Sequence, residues 1–443
     1  MARTPVVTCF LRHRDDVLLL RRSDAVGSYR GLWGAVSGHV ARSGADPTAP
    51  DRAPEAAARA EVAEETGLSD ACELVWAGEP FPVDEADHGP WRVHPFLFDC
   101  GSRAVEPNEE TVETAWVPPT EILRRETVPE LWTSYDRVRP TVASVRDDRA
   151  HGSAYLSARA LDVLRDRAGE LAVAGDLADD AAWAELATLA GDLLDARPGM
   201  AALTTRVNRA MAAAEDRTPE AVEASAQAAV ERALDADEAA AAVAAERLAG
   251  TVLTLSRSGT VLAALRRAAL DGVVVAESRP GGEGVAVAED LAAAGLDVTL
   301  VPDAAVAHHL ASADVDAVLV GADAVLPDGC VLNKVGTRAA ALAAAREGVP
   351  VHAVAARDKV VATGDGGDSA AGDVGDSAAG VDLGAVDPAD VYDGDADVRV
   401  ETPLFDVTPA DLVDAVLTEE GALSADAVAR VAEEHRGLAE WRG

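Results

Sequence analysis

Residues 55–68 read Glu55-Ala-Ala-Ala-Arg59-Ala-Glu61-Val62-Ala-Glu64-Glu65-Thr66-Gly67-Leu68. Alanine, arginine and glutamate without an interior glycine or proline favour a helix, which Pro54 can open and Thr66-Gly67 can stop. Glu61, Glu64 and Glu65 stand at i, i+3 and i+4, so a helix gathers three carboxylates on one face. Like charges so placed repel unless a cation joins them. A hard divalent ion such as Mg²⁺ removes the repulsion and keeps coordination positions for phosphate oxygens, which suits the cluster to pyrophosphate chemistry.

Upstream lies Tyr29-Arg-Gly31-Leu-Trp33-Gly34-Ala-Val36-Ser37-Gly38-His39-Val40. Together the two stretches resemble the Nudix hydrolase box, with Gly38 as its opening glycine and Glu61-Val62, Glu64-Glu65 and Gly67-Leu68 as its close. Two positions depart from the box: its arginine falls on Ala60 and its first glutamate on Arg52, and residues 44–54 read as an inserted loop. In the family that pair braces loop against helix, so losing both leaves no orphan charge. The resemblance implies Glu61, Glu64 and Glu65 as metal ligands and catalytic carboxylates for Mg²⁺, with Mn²⁺ as an alternative. It further implies a nucleoside diphosphate linked to another moiety as substrate. The general base is open between Glu64 and the loop of Glu106, Glu109 and Glu110.

The 443 residues allow two or three cores. With 39 basic and 77 acidic residues the formal charge is −38, which disfavours nucleic-acid backbones and anionic lipid surfaces. Lys334 and Lys359 are the only lysines, against 37 arginines. Abundant carboxylates, scarce lysine and few aromatics resemble salt-in halophilic archaeal proteomes. Cys9, Cys72, Cys100 and Cys330 show no C-x-x-C spacing, so neither a zinc site nor a disulfide framework is expected. No signal peptide and no apolar run of about 18 residues is seen, so a cytoplasmic location is expected.

Residues 5–22 read as two strands turning at Asp15-Asp16, with further strands at 74–77, 91–98 and 114–117 around the one acidic helix. Residues 153–168, 180–196, 199–214, 219–235 and 237–249 read as alanine-rich helices. Beyond Gly250, short apolar strands at 251–255, 272–276, 297–301, 317–320 and 351–355 alternate with helices, which argues a parallel sheet covered on both faces. Helices are expected at 409–418 and 425–435. The repeat Gly367-Asp-Ser-Ala-Ala-Gly372 and Gly375-Asp-Ser-Ala-Ala-Gly380 cannot bury apolar surface, so 364–385 reads as a disordered insertion.

His151-Gly152-Ser153-Ala154, Ala196-Arg197-Pro198-Gly199-Met200, Thr254-Leu255-Ser256-Arg257-Ser258-Gly259-Thr260-Val261, Glu277-Ser278-Arg279-Pro280, Gly321-Ala322-Asp323 and Asn333-Lys334-Val335-Gly336-Thr337, followed by Lys359, occur in that order. They resemble the initiation factor 2B alpha/beta/delta subunits and their relatives, ribose-1,5-bisphosphate isomerase and methylthioribose-1-phosphate isomerase, over about residues 148–436. Ligands of open α/β folds bind at the carboxyl ends of the strands. There Gly152, Ser153, Ser258, Gly259 and Thr260 offer helix-start amides to an anion, and Arg197, Lys334 and Lys359 offer positive charge. Asp323 and Asn333 complete the expected phosphate or substrate pocket. The isomerases pair an aspartate at Asp323 with a cysteine, and that cysteine's position here is Ser256. A hydroxyl cannot take the thiolate role near neutral pH, so binding without conversion is expected.

The expected fold is an α+β Nudix sandwich, an all-α subdomain and an α/β parallel-sheet, Rossmann-like domain. Its divisions are 1–135 (Nudix), 136–148 (linker), 149–250 (helical) and 251–443 (Rossmann-like). The expected function is a Mg²⁺-dependent Nudix pyrophosphohydrolase fused to a sensor of a sugar phosphate or nucleoside monophosphate, and the resemblance implies self-association through the C-terminal domain. Two alternatives stand beside it: a C-terminal domain active as a sugar-phosphate isomerase, and a chain that is wholly a non-catalytic regulatory subunit of translation initiation.

Overall fold

The computed structural model describes residues 3–40, 53–85, 89–312, 315–362 and 383–442. Arg52, most of the 44–54 insertion and residues 364–382 of the repeat-bearing segment lie outside them. The chain divides into two compact units, Met1–Thr141 with Asp162–Leu186 and Asp216–Gln227, and Val142–Leu161 with Ala187–Glu215 and Ala228–Gly443.

In the first unit β1 (Thr4–His13) and β2 (Asp16–Arg22) form the expected hairpin, followed by β3 (Trp33–Gly34), β4 (Val36–His39) and α1 (Pro54–Thr66). Pro54 opens α1, and Gly67 closes it at φ 70°, where a side chain is disfavoured. β5 (Cys72–Ala77), β6 (Phe81–Glu85), β7 (Gly89–Cys100) and β8 (Thr111–Val117) complete an eight-stranded sheet. Its path is β3-β2-β1-β7-β5, with β4 on β1, β6 on β7 and β8 on β2. Alternation along the strands divides the core. Val7, Cys9 and Leu11 pack with Ala57, Ala58 and Val62 of α1, whereas Phe10, Val17 and Leu19 pack with Ile122 and with Leu131 and Tyr135 of α2 (Leu131–Asp136).

Cys72 and Cys100 are disulfide-bonded, which corrects the expectation of no disulfide. They stand opposite one another in the β5–β7 ladder, a relation created by strand pairing and absent from linear spacing. A buried polar knot also belongs to this unit. Arg165 is 1% exposed, pairs with Asp162 and Asp166 at 2.8 Å each, and donates to the Asp15 carbonyl in the β1–β2 turn. Gln227 Nε2 donates to Asp15 Oδ2 at 2.6 Å, and the Tyr135 hydroxyl donates to Asp166.

The helices are α3 (Val142–Asp147), within the stretch read as a linker, α4 (Ser153–Ala174), α5 (Asp179–Ala196), α6 (Ala201–Ala213) and α7 (Pro219–Ala245). The two helices expected at 219–235 and 237–249 are one, because Ala236 to Ala245 contain no glycine or proline to break it. Then follow β9 (Gly250–Leu255), α8 (Gly259–Arg267), β10 (Leu270–Ala276), α9 (Glu283–Ala293), β11 (Val298–Val301), α10 (Val306–Ser312), β12 (Ala317–Gly321), β13 (Ala324–Val325), β14 (Val331–Lys334), α11 (Thr337–Glu347), β15 (Val351–Val354), β16 (Phe405–Thr408), β17 (Ala415–Thr418), β18 (Gly421–Leu423) and α12 (Ala425–Gly437).

The second unit's main sheet runs β11-β10-β9-β12-β15-β17-β18, parallel except at β18, and β13-β14-β16 form a small antiparallel sheet. This is the doubly wound order, with its switch point between β9 and β12. Val252, Val273 and Val275 face α8, α9 and the end of α7, whereas Leu253, Val274 and Val318 face α10, α11 and α12. The helix expected at 409–418 is instead a 3₁₀ turn and β17, whose four residues complete the parallel sheet. Four apolar residues are too few to show a period, and tertiary pairing decides.

Candidate functional sites

In the first unit the residues of the box meet on one side of the sheet. A Cβ on Gly38 would lie 2.0 Å from Glu61 Cδ, so β4 runs directly against this carboxylate, and a larger residue would push the Glu61 head group away. Glu65 is 7% exposed and accepts from the Ser37 N–H at 3.3 Å. Burial, then the charges of Glu61 and Glu110, push its carboxyl up to about 8, against the Ser37 N–H and the Arg22 guanidinium. Glu61 is half-buried and Glu64 exposed. The loop after Cys100 is tied to the end of α1 by Glu106 N–H to Thr66 O (2.9 Å) and to the following 3₁₀ turn by Gly101 N–H to Ala71 O (2.7 Å), and it carries Glu110 to within electrostatic reach of Glu65. Arg22 donates to Ser37 Oγ and to the Ser28 carbonyl.

Among the described residues no group of three or more His, Cys, Asp or Glu is disposed as a metal cage. Mg²⁺ is commonly held by one or two carboxylates plus water and phosphate oxygens. A buried carboxylate raised to about 8 beside two like charges fits such an ion.

In the second unit Ser258 and Asn333 meet at Gly321, the end of β12, whereas Gly152, Ser153 and Arg197 lie at the start of α4 and beside α3. Ser256, just past β9, has φ 62°, and Ser278, just past β10, has φ 64°. The Ser256 N–H donates to Ser278 Oγ at 2.6 Å, and Asp303 accepts the N–H groups of Ser278 and Arg279. Two non-glycine residues held left-handed side by side mark a built turn. Ser258 caps α8 by accepting from the Val261 N–H, Gly259 is exposed and Thr260 buried. A Cβ on Gly321 would touch Ser258 at 3.0 Å and Asn333 Oδ1 at 3.7 Å, so these three meet. Asn333 is fixed by Nδ2 donation to Thr337 Oγ1.

Both lysines are buried. Lys334 Nζ donates to the Pro280 carbonyl (2.8 Å) and pairs with Glu283 (2.7 Å), and Lys359 Nζ donates to the Ala322 carbonyl (2.6 Å). Burial raises the Asp323 carboxyl, opposed by Lys359 and Lys334, and burial lowers the Lys359 ammonium, opposed by Asp323 and Asp237. Gly152 is exposed ahead of α4, and Ser153 Oγ is buried with no hydrogen-bond partner. Arg197 is turned to the Val145 and Asp148 carbonyls beside α3. Sequence reading missed Arg206, 1% exposed, which joins Asp358, Asp237 and Ser157 next to Lys359. As one arginine among 37 it carries no signal of its own. A cavity of about 260 Å³ lined by Leu255, Ala276, Asp303, Val306, Val335 and Ala339 opens at the ends of β9 and β10.

An N-terminal acidic helix on a mixed sheet, followed by a doubly wound sheet with a cavity at its carboxyl edge, defines a two-part α/β protein. The chain belongs to the initiation factor 2 subunit family, whose model matches residues 149–425, and the NUDIX domain model matches residues 2–138. Ribose 1,5-bisphosphate isomerase of Haloferax volcanii is 32% identical over 311 residues, covering 66% of this chain and 91% of that protein. Methylthioribose-1-phosphate isomerase of Pseudomonas entomophila is 33% identical over 180 residues, covering 40% of this chain and 49% of that protein. The crystal structure of the translation initiation factor eIF-2B of Pyrococcus horikoshii OT3 aligns with a TM-score of 0.52 at 23% identity, over 64% of this chain and 94% of that one. That of 5-methylthioribose 1-phosphate isomerase from the same organism gives 0.52 at 20%, over 74% and 90%. At such identity these two show the fold alone.

Proposed function

We propose that the chain is a Mg²⁺-dependent pyrophosphohydrolase of a nucleoside diphosphate derivative, joined to a domain that holds a sugar phosphate or nucleoside monophosphate. In this reading residues 1–135 form a Nudix sandwich, 136–148 a linker, 149–250 a helical subdomain and 251–443 the Rossmann-like domain. The observation that carries it is Glu65, a buried carboxyl raised to about 8 beside Glu61 and Glu110. Such a group is costly to ionise in the empty fold and suited to a divalent cation. When bound, the ion supplies charge neutralisation at the pyrophosphate and an activated water. Glu61 and Glu65 hold it, with exposed Glu64 at their flank. The general base is Glu64 or a residue of the Glu106–Glu110 loop, of which Glu110 acts electrostatically on Glu65.

In the second unit Lys334, Lys359 and the Ser258–Thr260 turn favour phosphate, while Ser256 lacks the thiol. A second reading, sugar-phosphate isomerisation, is favoured by the raised Asp323 carboxyl beside two ammonium groups and by the relatives' names. One screen of nucleotide derivatives with Mg²⁺ in high salt, following phosphate and sugar products together, tests both. Glu64→Gln or Glu65→Gln should lower hydrolysis at least about a hundredfold, and Lys334→Ala and Lys359→Ala should each weaken phosphate-ligand binding. Full activity of Glu65→Gln would refute the assignment of Glu65 as a metal carboxylate, and no hydrolysis of any nucleotide derivative by the native chain would refute the hydrolase reading. Ribulose product from ribose 1,5-bisphosphate with the native sequence would establish the isomerase.

A further inference from the structure

The turn between β10 and α9 carries a carboxylate that phosphate binding by the second unit leaves without a task. Glu283, the first residue of α9, pairs through Oε1 with Lys334 Nζ at 2.7 Å, and its Oε2 is buried and accepts no hydrogen bond. Buried polar atoms in folded proteins are nearly always satisfied. An orphan acceptor beside a pocket therefore waits for a donor.

The backbone fixes it there. The Gly282 N–H donates to the Ser278 carbonyl at 2.9 Å, the Gly284 N–H to that of Glu277 at 3.2 Å and the Val285 N–H to that of Gly282 at 3.1 Å. A Cβ on Gly284 would lie 1.8 Å from the Ala276 carbonyl oxygen, so α9 starts in contact with the end of β10. At Gly281, φ 105°, a Cβ would stand 2.8 Å from Glu283 Oε1, so the carboxylate is folded over its own turn and towards Lys334.

Position decides charge. Lys334 and Lys359 both oppose the rise that burial imposes on Asp323, so one carboxyl lies within electrostatic reach of both ammonium groups. The two cations are not equivalent. Lys334, 4% exposed, already has an ion-pair partner in Glu283, whereas Lys359 Nζ donates to the neutral Ala322 carbonyl, and the nearby Asp237 carboxylate pairs with Arg206 at 3.2 Å. A phosphate drawn to Lys334 would share a single ammonium with a carboxylate held in place. Two anions on one partly desolvated cation repel more strongly than they would in water.

We propose that Glu283 sets the charge of the ligand: the pocket takes one phosphate, with a hydroxyl of the ligand donating to Glu283 Oε2, and rejects a second phosphate at Lys334. This rests on the phosphate-binding reading of the second unit and narrows it to monophosphates with a neutral, hydroxyl-bearing end. A discriminator built from a like charge works by repulsion of the wrong ligand rather than by better contacts to the right one.

The test measures calorimetric binding of ribose 5-phosphate and ribose 1,5-bisphosphate to the full chain at one salt concentration. The native chain should bind the bisphosphate no more tightly than the monophosphate. Glu283→Gln, which keeps the shape and removes the charge, should tighten the bisphosphate about tenfold or more and change the monophosphate less than about threefold, the order expected of one like charge a few ångströms away in a partly exposed site. Glu283→Asp, which keeps the charge, should retain the native preference. Equal changes for both ligands in Glu283→Gln, or a native chain that prefers the bisphosphate, would overturn the discriminator and leave phosphate binding intact. No binding of either ligand to the native chain or to Glu283→Gln would refute phosphate binding and the discriminator with it.

Discussion

Replacing Glu65 by glutamine should stabilise the metal-free protein and abolish its response to Mg²⁺. The side chain is 7% exposed and its carboxyl is raised from an ordinary 4.5 to about 8, first by burial and then by Glu61 and Glu110. A folded-state value above the unfolded one means that the fold prefers the protonated form. That preference contributes fully below about pH 4.5 and is lost as pH rises through about 8. The displacement corresponds to an upper bound of about 5 kcal/mol. Ionisation at alkaline pH should then lower the melting point of this unit by up to about 10–20 °C relative to acid. Thermal melts of the full chain in chelator-treated buffer, between pH 5 and 9, should show this fall in the native protein and a flatter profile in Glu65→Gln. Adding Mg²⁺ at pH 8.5 should raise the native midpoint and leave the variant unmoved. Parallel pH profiles, or equal stabilisation by Mg²⁺, would refute the assignment of Glu65 as the buried metal carboxylate.

Cys72→Ser with Cys100→Ser should destabilise the first unit by about 3.5 kcal/mol, the loop-closure value for partners 28 residues apart, and an unchanged denaturation midpoint would show that the bond closes no useful loop. A charge of −38 should make the melting temperature rise steeply with salt towards molar concentration, where the Debye length is about 3 Å; a flat series would refute screening as the requirement. On the binding-only reading, Ser256→Cys, which places a thiol in the left-handed turn after β9, should show sugar-phosphate isomerisation where the native chain shows none, read by NMR of the product. Native turnover would refute the binding-only reading.

The β1–β2 hairpin, α1 and the strands β9, β10, β11, β12 and β15 were legible because each announces itself locally, by alternation, by a helix stop at Gly67 or by short apolar runs between helices. What was illegible depends on partners distant in sequence. Ala415–Thr418 is a strand because β15 is beside it, Cys72 finds Cys100 through strand register, and Arg165 is tolerable only between Asp162 and Asp166. The acidic trio was readable as a helix face, but its internal difference was not: spacing treats three glutamates alike, whereas packing leaves Glu64 in solvent and buries Glu65 against Ser37 of β4. That asymmetry separates a buried carboxyl tuned by its surroundings from an ordinary surface one.

The two lysines join composition to chemistry more directly. In a chain that otherwise uses arginine for positive charge, both lysines are buried, and both act on the carboxyl of Asp323. A guanidinium would fan five donors into spaces that here offer one carbonyl each, Ala322 for Lys359 and Pro280 for Lys334, with Glu283 as the latter's counter-ion. An ammonium is a compact point charge, and its proton affinity falls on burial, as it does at Lys359. Surface composition can drift from lysine to arginine without consequence, because an exposed cation is defined by its charge alone. A buried one is defined by its shape and by what it can donate to, which gives these two positions a physical reason to have kept lysine.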